Sequence, residues 1–290
     1  MQNKAEEIVS RFYNEVGWVT EGGLTEDARR WEDLREHAQE YVSKCRLRVL
    51  RHIPDQGENI LDMGSGPIQF REYLGYSKNF KKRYCIDLSS KALEEAKKKI
   101  GDHGVFFCGS FFDIPLEEDF FDCSISLHTI YHIDKDKQEE AVRKLIRVTK
   151  PGKPVIIVYG NPNTLVRYCV WPVRCLKKMV KLLNRTRRNR LELYYYVHPL
   201  KWWSRFSDMA DVRIVPWRSF YSAHQRWLIP NNELGKKIFD ILYTMEERLP
   251  GFFVRHFQYP MIILTKRDSQ RAGAPAAVPL RFIAAGELYR

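Results

Sequence analysis

Three short stretches hold the residue types and spacings that could do chemistry. In ILDMGSGPIQF, residues 60–70, an apolar run passes Asp62 into Gly64, Ser65 and Gly66. Glycines placed directly after a strand allow tight, positive-φ backbone, and main-chain N–H groups can then approach a ligand with no Cβ in the way. Asp87 closes the next apolar run, KRYCIDL, at a position where a carboxylate can accept hydrogen bonds from both hydroxyls of a ribose. A glycine loop followed by an acidic strand end suggests an adenosine-containing cofactor. The third stretch, LHTIYHI, offers His128, Tyr131 and His132. Imidazole suits proton transfer because its ordinary pKa lies near neutral pH. A histidine packed on a helix or bonded to a backbone carbonyl would be structural instead, and both roles are open for His128 and His132.

The elements that must position these groups are legible as an alternation. NILDM, KRYCIDL, GVFFCG, FDCSISL and KPVIIVYG read as strands. QFREYLGY, SSKALEEAKKKIG and KQEEAVRKLIRVT read as the helices between them, the second opening on Ser89 or Ser90 and stopping at Gly101. Such alternation predicts a doubly wound, mostly parallel sheet with helices on both faces, an α/β fold. VRIVPWRSF and YPMIILTKR are expected to return as late strands of the same sheet. Upstream, residues 25–52 read as one helical section, with Trp31, Leu34, Ala38, Tyr41, Val42 and Cys45 at helical spacing. Residues 161–205 form a basic and aromatic cap insertion in this reading. Residues 268–290, rich in Ala and Pro, read as a disordered tail.

A dinucleotide site calls for G-x-G-x-x-G, whose last glycine packs helix against strand. Gln69 stands at that place, which counts against a nicotinamide oxidoreductase. The segments ILDMGSGPIQF, YCIDLSSKALEEAKKKIG, FFCGSFFDIPLEEDFFDCSISLHTIYHI and AVRKLIRVTKPGKPVIIVYG resemble, in order and spacing, the successive motifs of the class I S-adenosylmethionine-dependent methyltransferases. The resemblance covers roughly residues 57–160 and rests on the set of motifs. It implies a Rossmann-like sheet of seven strands with S-adenosyl-L-methionine along its carboxyl edge. By position it implies that Asp62 helps hold the loop, that Gly64, Ser65 and Gly66 meet the methionine part, and that Asp87 and Leu88 meet the ribose. Ser110 and Phe111 then fall at the adenine, and Ser126, Leu127 and His128 line the methyl-donor pocket. The resemblance also implies a domain over residues 57–267 and a helical lid over residues 1–56, with Tyr13, Trp18 and Trp31 either closing the pocket or packing in the core.

Two positions depart from the family's pattern. Ile68 stands where a third glycine is common, and Ser110 where an acid commonly accepts from the adenine amino group. Asp113 is the nearby acid that would substitute.

Charge narrows the partners. Up to Gly160 there are 25 Lys and Arg against 27 Asp and Glu; from Asn161 onward there are 23 against 9. The excess positive charge therefore lies in the C-terminal part and argues for an acidic partner. Between Arg167 and Arg190 nine basic residues occur without an acid, on a segment (166–190) of amphipathic helical character suited to an anionic membrane surface. RNA is the lesser alternative: RTRRNR would suit phosphates and the Tyr194–Tyr196 and Trp202–Trp203 clusters would stack on bases, yet there is no RRM, KH or zinc signature. Six cysteines include no CxxC pair and suggest no metal site; Cys85, Cys108 and Cys123, inside apolar runs, are expected to be buried thiols. With a charged N-terminus and no long apolar run, the chain is expected in the cytoplasm, in peripheral contact with a membrane at most. The combined expectation is O-methylation of a small or lipid-linked anionic acceptor such as a saccharide intermediate. An RNA methyltransferase and a non-catalytic cofactor-binding protein are the alternatives.

Overall fold

The computed structural model describes residues 4–169, 193–268 and the pair 281–282. Seven strands, β1 (Gly57–Met63), β2 (Phe80–Asp87), β3 (Gly104–Cys108), β4 (Cys123–Leu127), β5 (Pro154–Val158), β6 (Ala210–Arg218) and β7 (Tyr259–Lys266), build one sheet in the order β6-β7-β5-β4-β1-β2-β3. β7 runs antiparallel to both its neighbours, and the remaining pairs are parallel. Arg281–Phe282 adds two residues of strand alongside Arg213 and Ile214, at the outer edge of β6.

This order decides where a ligand can bind. From β1 the chain winds outward through β2 and β3, then returns to β4 on the other side of β1. The connections at the carboxyl ends of β1 and β4 diverge, opening a crevice at that switch point. The glycine loop follows β1, and LHTIYHI follows β4.

Strand residues alternate between two cores, as burial on both faces of a parallel sheet requires. Leu61, Met63, Val155 and Ile157 pack with Ala141, Val142, Leu145 and Ile146 of helix α6 (Gln138–Val148). Ile60, Ile125, Ile156 and Val158 face the other way, onto Ala38, Tyr41, Val42 and Cys45 of α3 (Glu36–Leu47) and Phe239 of α9 (Glu233–Arg248). Between β2 and β3 runs α5 (Ser90–Ile100), whose Ser89 hydroxyl caps the Ala92 N–H at 3.2 Å and whose end is turned by Gly101. The other helices are α1 (Lys4–Phe12), α2 (Glu26–Trp31), α4 (Arg71–Gly75), α7 (Leu165–Cys169), α8 (Ser222–Leu228) and α10 (Pro250–His256).

Several expectations need correcting. Residues 25–52 are not one helix: α2 stops at Trp31, and the backbone is extended at Glu32 and Arg35 before α3 begins. The break is held by Arg35, which pairs with Asp33 at 2.7 Å and donates to the Ile229 carbonyl at 2.7 Å. Cys108 is exposed at the end of β3, while Cys85 and Cys123 are buried. Trp202 and Trp203 pack in the core rather than presenting faces for bases. Residues 170–192, with most of the basic segment and of the expected cap, lie outside the described residues, as does nearly all of the expected tail. Among the described residues no helix is long and apolar enough to cross a membrane.

Candidate active site

The glycine loop docks on the end of β2, where Ile86 carbonyl accepts the Gly64 N–H at 2.7 Å. Gly64 has φ +72° and Gly66 φ +53°. A Cβ on Gly64 would lie 2.3 Å from the Thr129 hydroxyl, and one on Gly66 would lie 3.1 Å from the Trp18 ring. Thr129 thus fills, from the loop after β4, the space a side chain would need. Ile68 takes φ +49°. The left-handed backbone that glycine usually supplies is kept there by a β-branched residue, at a strain of about 1–3 kcal/mol. Burial of Ile68 against Cys85, Leu93 and Ala96 offsets it by a similar amount.

Asp87 fastens the loop from β2. Its Oδ2 accepts the Gly66 N–H at 2.8 Å and its Oδ1 accepts the Ser89 N–H at 2.9 Å. Each carboxylate oxygen keeps a further lone pair for a ligand hydroxyl. Burial pushes the carboxyl up to about 6, against the opposing pull of those backbone N–H groups. Asp62 lies underneath, its carboxylate taken by the buried Arg83 guanidinium with Nε at 3.1 Å. Arg83 also donates to the Tyr73 carbonyl at 2.6 Å and so ties β1 and β2 to the chain leaving the loop.

The N-terminal segment lies across this edge. Ser10 donates to the Leu88 carbonyl at 3.4 Å, the Ser89 hydroxyl donates to Asn14 Oδ1 at 2.7 Å, and Gln69 meets Thr25 at 2.5 Å. A wide π-type turn at Tyr13–Gly17 brings the Tyr13 ring onto Trp18, with centroids 4.9 Å apart. Trp18 Nε1 is buried without a hydrogen-bond partner. Burial, with Asp27 and Asp87 nearby, holds the Tyr13 hydroxyl well above its ordinary pKa. Trp31 takes no part: it is 53% exposed. Glu6 of α1 accepts from the Ser110 hydroxyl at 2.7 Å. The acid missing beside β3 in sequence is therefore brought by α1, whereas Asp113 is exposed.

On the other side of the crevice His128 sits at φ +60°, a conformation that turns its ring between Trp217 and Tyr259, at centroid distances of 4.6 and 5.1 Å. Its Nδ1 shares a hydrogen bond with the Tyr131 hydroxyl at 2.9 Å. Burial, then Arg218 and Arg46, hold it well below the usual imidazole pKa. His132 Nδ1 lies 2.6 Å from the Tyr194 carbonyl. A carbonyl can only accept, so Nδ1 carries the proton and Nε2 the lone pair. Burial keeps this ring neutral, with its pKa lowered to about 4. The chain that provides Tyr194 continues over the site: Tyr196 N–H donates to the Tyr131 carbonyl at 2.8 Å, and the Tyr195 ring packs 4.9 Å from that of Tyr131.

Of the residues expected from sequence, Gly64, Ser65, Gly66, Asp87, Leu88, Ser110, Leu127, His128, Tyr131 and His132 are gathered at the carboxyl edge. Ser126 and Phe111 are placed in the core, Ser126 with its hydroxyl on Met63 Sδ at 3.2 Å. Glu6, Thr129, Trp217, Arg218 and Tyr259, which the fold brings beside these residues, were not legible from sequence. Only the Trp-Arg pair within VRIVPWRSF, at the end of a late strand, offered a signal.

The residues at this edge fit S-adenosylmethionine: a loop with no Cβ at positions 64 and 66, a carboxylate with spare acceptor capacity at the second strand, an acid beside the third, and an indole N–H in need of an acceptor. Residues 61–157 match the family model described as "Methyltransferase domain". Among curated protein sequences nothing matches. Solved structures share the fold at low identity. An Archaeoglobus fulgidus SAM-dependent methyltransferase is 16% identical, with 79% of this chain and 94% of that one covered and a TM-score of 0.50. Magnesium protoporphyrin IX methyltransferase from Synechocystis, with bound SAH, is 15% identical over 91% of this chain and 100% of its own, at 0.53. Geranyl diphosphate C-methyltransferase from Streptomyces coelicolor is 14% identical over 91% and 98%, at 0.51. Residues 61–157 thus carry a methyltransferase domain by the family match, in a chain that shares the fold of S-adenosylmethionine-dependent methyltransferases.

Proposed function

We propose that this methyltransferase acts on a hydroxyl of a small or lipid-linked anionic acceptor, of the kind a phosphate-bearing saccharide presents. The solved relatives act on acceptors as unlike as a magnesium porphyrin and geranyl diphosphate, so the acceptor has to be read from this chain's own pocket.

The observation that carries the reading is His132, held neutral with Nε2 unprotonated by the Tyr194 carbonyl at 2.6 Å. S-adenosylmethionine, when bound, supplies a methyl group already activated by a sulfonium. Gly64 and Gly66 offer the loop for its methionine part, Asp87 accepts from its ribose hydroxyls, and Glu6 with Ser110 stands at its adenine. Trp18 and Tyr13 cover the loop and exclude water. His132 takes the proton of the acceptor hydroxyl. A base this weak is sufficient because that proton becomes acidic only as the oxygen forms its new bond. Tyr131 and the chain over it confine the acceptor between the two histidines, where alignment supplies much of the rate. The same pocket is compatible with a cytoplasmic enzyme whose basic segment, 166–190, rests on an anionic membrane surface.

Calorimetry with S-adenosylhomocysteine, with NADH as control, tests the cofactor site. The wild type is expected to bind at micromolar concentration and Asp87→Ala at least tenfold more weakly. In an acceptor screen that follows S-adenosylhomocysteine release, His132→Gln is expected to keep cofactor binding and lose turnover at least a hundredfold. Undiminished turnover in that variant removes His132 as the base, and absence of cofactor binding by folded wild type removes the enzyme reading.

A further inference from the structure

Beside His128 two arginines are buried with more donors than the protein satisfies. Arg46 of α3 is 2% exposed and Arg218, at the end of β6, is 3% exposed. They share one carboxylate: Arg46 Nη2 lies 3.3 Å from Glu32 Oε1, and Arg218 Nη1 lies 3.0 Å from Glu32 Oε2. Glu72 stands farther off, 3.7 Å from Arg46. Even so, Arg46 Nε, Arg218 Nε and the neighbouring Trp217 Nε1 have no hydrogen-bond partner, and Arg46 Nη2 meets Glu32 as an ion pair without hydrogen-bond geometry. The three unpartnered atoms are all donors. Buried unsatisfied donors each cost about 1–3 kcal/mol, more when charged, so three of them on neighbouring side chains call for a group rich in acceptors.

Their position is tied to the site. The Trp217 and Tyr259 rings that enclose His128 are the same two over which the Arg218 guanidinium lies, at 4.9 and 5.1 Å. β6 and β7 pair at Pro216–Pro260 and next at Arg218–Tyr259, so Trp217 is an extra residue bulged out of the ladder. A bulge of this kind re-aims side chains at a strand end. Arg46 reaches the same region from the opposite side, its guanidinium 3.4 Å from the ring of Phe70, which leaves the glycine loop.

We propose that Arg46 and Arg218 form the subsite for a phosphate group on the acceptor, and that Glu32 occupies it until the acceptor arrives. Glu32 lies in the extended link between α2 and α3, so its side chain can swing away without unwinding a helix. A phosphate dianion would then balance the two guanidinium groups and accept from the orphaned N–H atoms, in the forked geometry that arginine favours. The anchored acceptor would extend past Trp217 and Tyr259 toward the histidines. The inference rests on the methyltransferase reading and adds to it the group by which the acceptor is held.

The test is a thermal-shift titration with inorganic pyrophosphate at saturating S-adenosylhomocysteine, on wild type, Glu32→Gln and Arg218→Gln. Glu32→Gln removes the competing charge while keeping both arginines, and is expected to respond at a pyrophosphate concentration at least tenfold below that of wild type. Arg218→Gln is expected to need at least tenfold more. Vesicles containing phosphatidic acid, run in parallel, separate a lipid headgroup from a soluble phosphate: the source is whichever ligand Glu32→Gln sharpens. Malonate acting in place of pyrophosphate refutes phosphate as the group. If Glu32→Gln and wild type respond alike, or neither responds while S-adenosylhomocysteine still binds, the arginines are structural and the proposal fails. Loss of the S-adenosylhomocysteine response in wild type itself strikes the methyltransferase reading instead, and the subsite as an acceptor site falls with it.

Discussion

Gly64→Ala separates two costs that the glycine loop avoids. Gly64 and Gly152 have nearly the same backbone, φ +72° and +71°. A Cβ on Gly152 meets nothing within 4 Å, whereas a Cβ on Gly64 falls 2.3 Å from Thr129 Oγ1, 2.4 Å from Cγ2 and 2.8 Å from its Cβ. Rotating the threonine cannot clear the last contact, so the loops after β1 and β4 must part. Gly152→Ala should cost only the left-handed strain, about 1–2 kcal/mol, less the roughly 0.4–1 kcal/mol by which alanine restricts the unfolded chain. Gly64→Ala adds overpacking of about 1–3 kcal/mol. Urea unfolding followed by tryptophan fluorescence, at a common m-value, should therefore place Gly64→Ala about 1–3 kcal/mol below Gly152→Ala. Calorimetry should show weakened S-adenosylhomocysteine binding for Gly64→Ala alone. Adding Thr129→Ala should recover part of the difference. Equal costs at the two glycines would refute the close approach of Thr129, and with it the account of why this loop needs glycine.

Three further outcomes follow from buried charge. Glu246 accepts from Tyr41 at 2.6 Å and pairs with Arg48 at 2.7 Å, and Arg48 also donates to the Trp217 carbonyl at 2.7 Å. Glu246→Leu should destabilise by about 3–5 kcal/mol in urea; a loss under about 1 kcal/mol would show that the network does not hold α9 and the bulge. Burial, then Glu32, push Asp27 up to about 7. The fold thus binds this proton more tightly than the unfolded chain, so stability falls as pH rises from about 4 to 7, and the fall should be shallower in Asp27→Asn when urea midpoints at pH 5 and 8 are compared. His132, lowered to about 4, should stay neutral in a histidine NMR titration across pH 5–9. Its contribution to stability should be complete above pH 6.5 and decline toward pH 4; a midpoint near 6.5 would overturn its burial.

The half of the candidate site proposed to face the cofactor was legible because its parts hang on consecutive strand ends of one sheet. ILDMGSG and Asp87 are each next to the strand that places them, so their local pattern already states their position. The N-terminal segment that crosses this edge was legible only as a segment. The aromatic that packs on the glycine loop is Trp18 and not Trp31, since the helical section breaks at Glu32 and Trp31 is exposed. Ser110 shows the limit of reading along the chain: the nearby acid, Asp113, points to solvent, and the carboxylate that reaches the serine comes from Glu6, 104 residues away.

Charge counting does not single out buried cations. The surplus after Asn161 drew attention to residues 166–190, most of which lie outside the described residues. Arg46 lies in the part of the chain where acids outnumber bases, and Arg218 is the last residue of a strand, β6. A net balance weighs every ionised group alike, but a guanidinium in water already has its partners, while a buried one must find them in the protein or in a ligand. What marks Arg46 and Arg218 is the mismatch between their donors and the single carboxylate they share, which only the packing of α3, β6 and the link at Glu32 creates. If an anionic acceptor is recognised here, these two residues should decide it. Removing surface lysines or arginines should weaken only the encounter, with a strong dependence on salt. Arg218→Gln should weaken the bound state at every ionic strength.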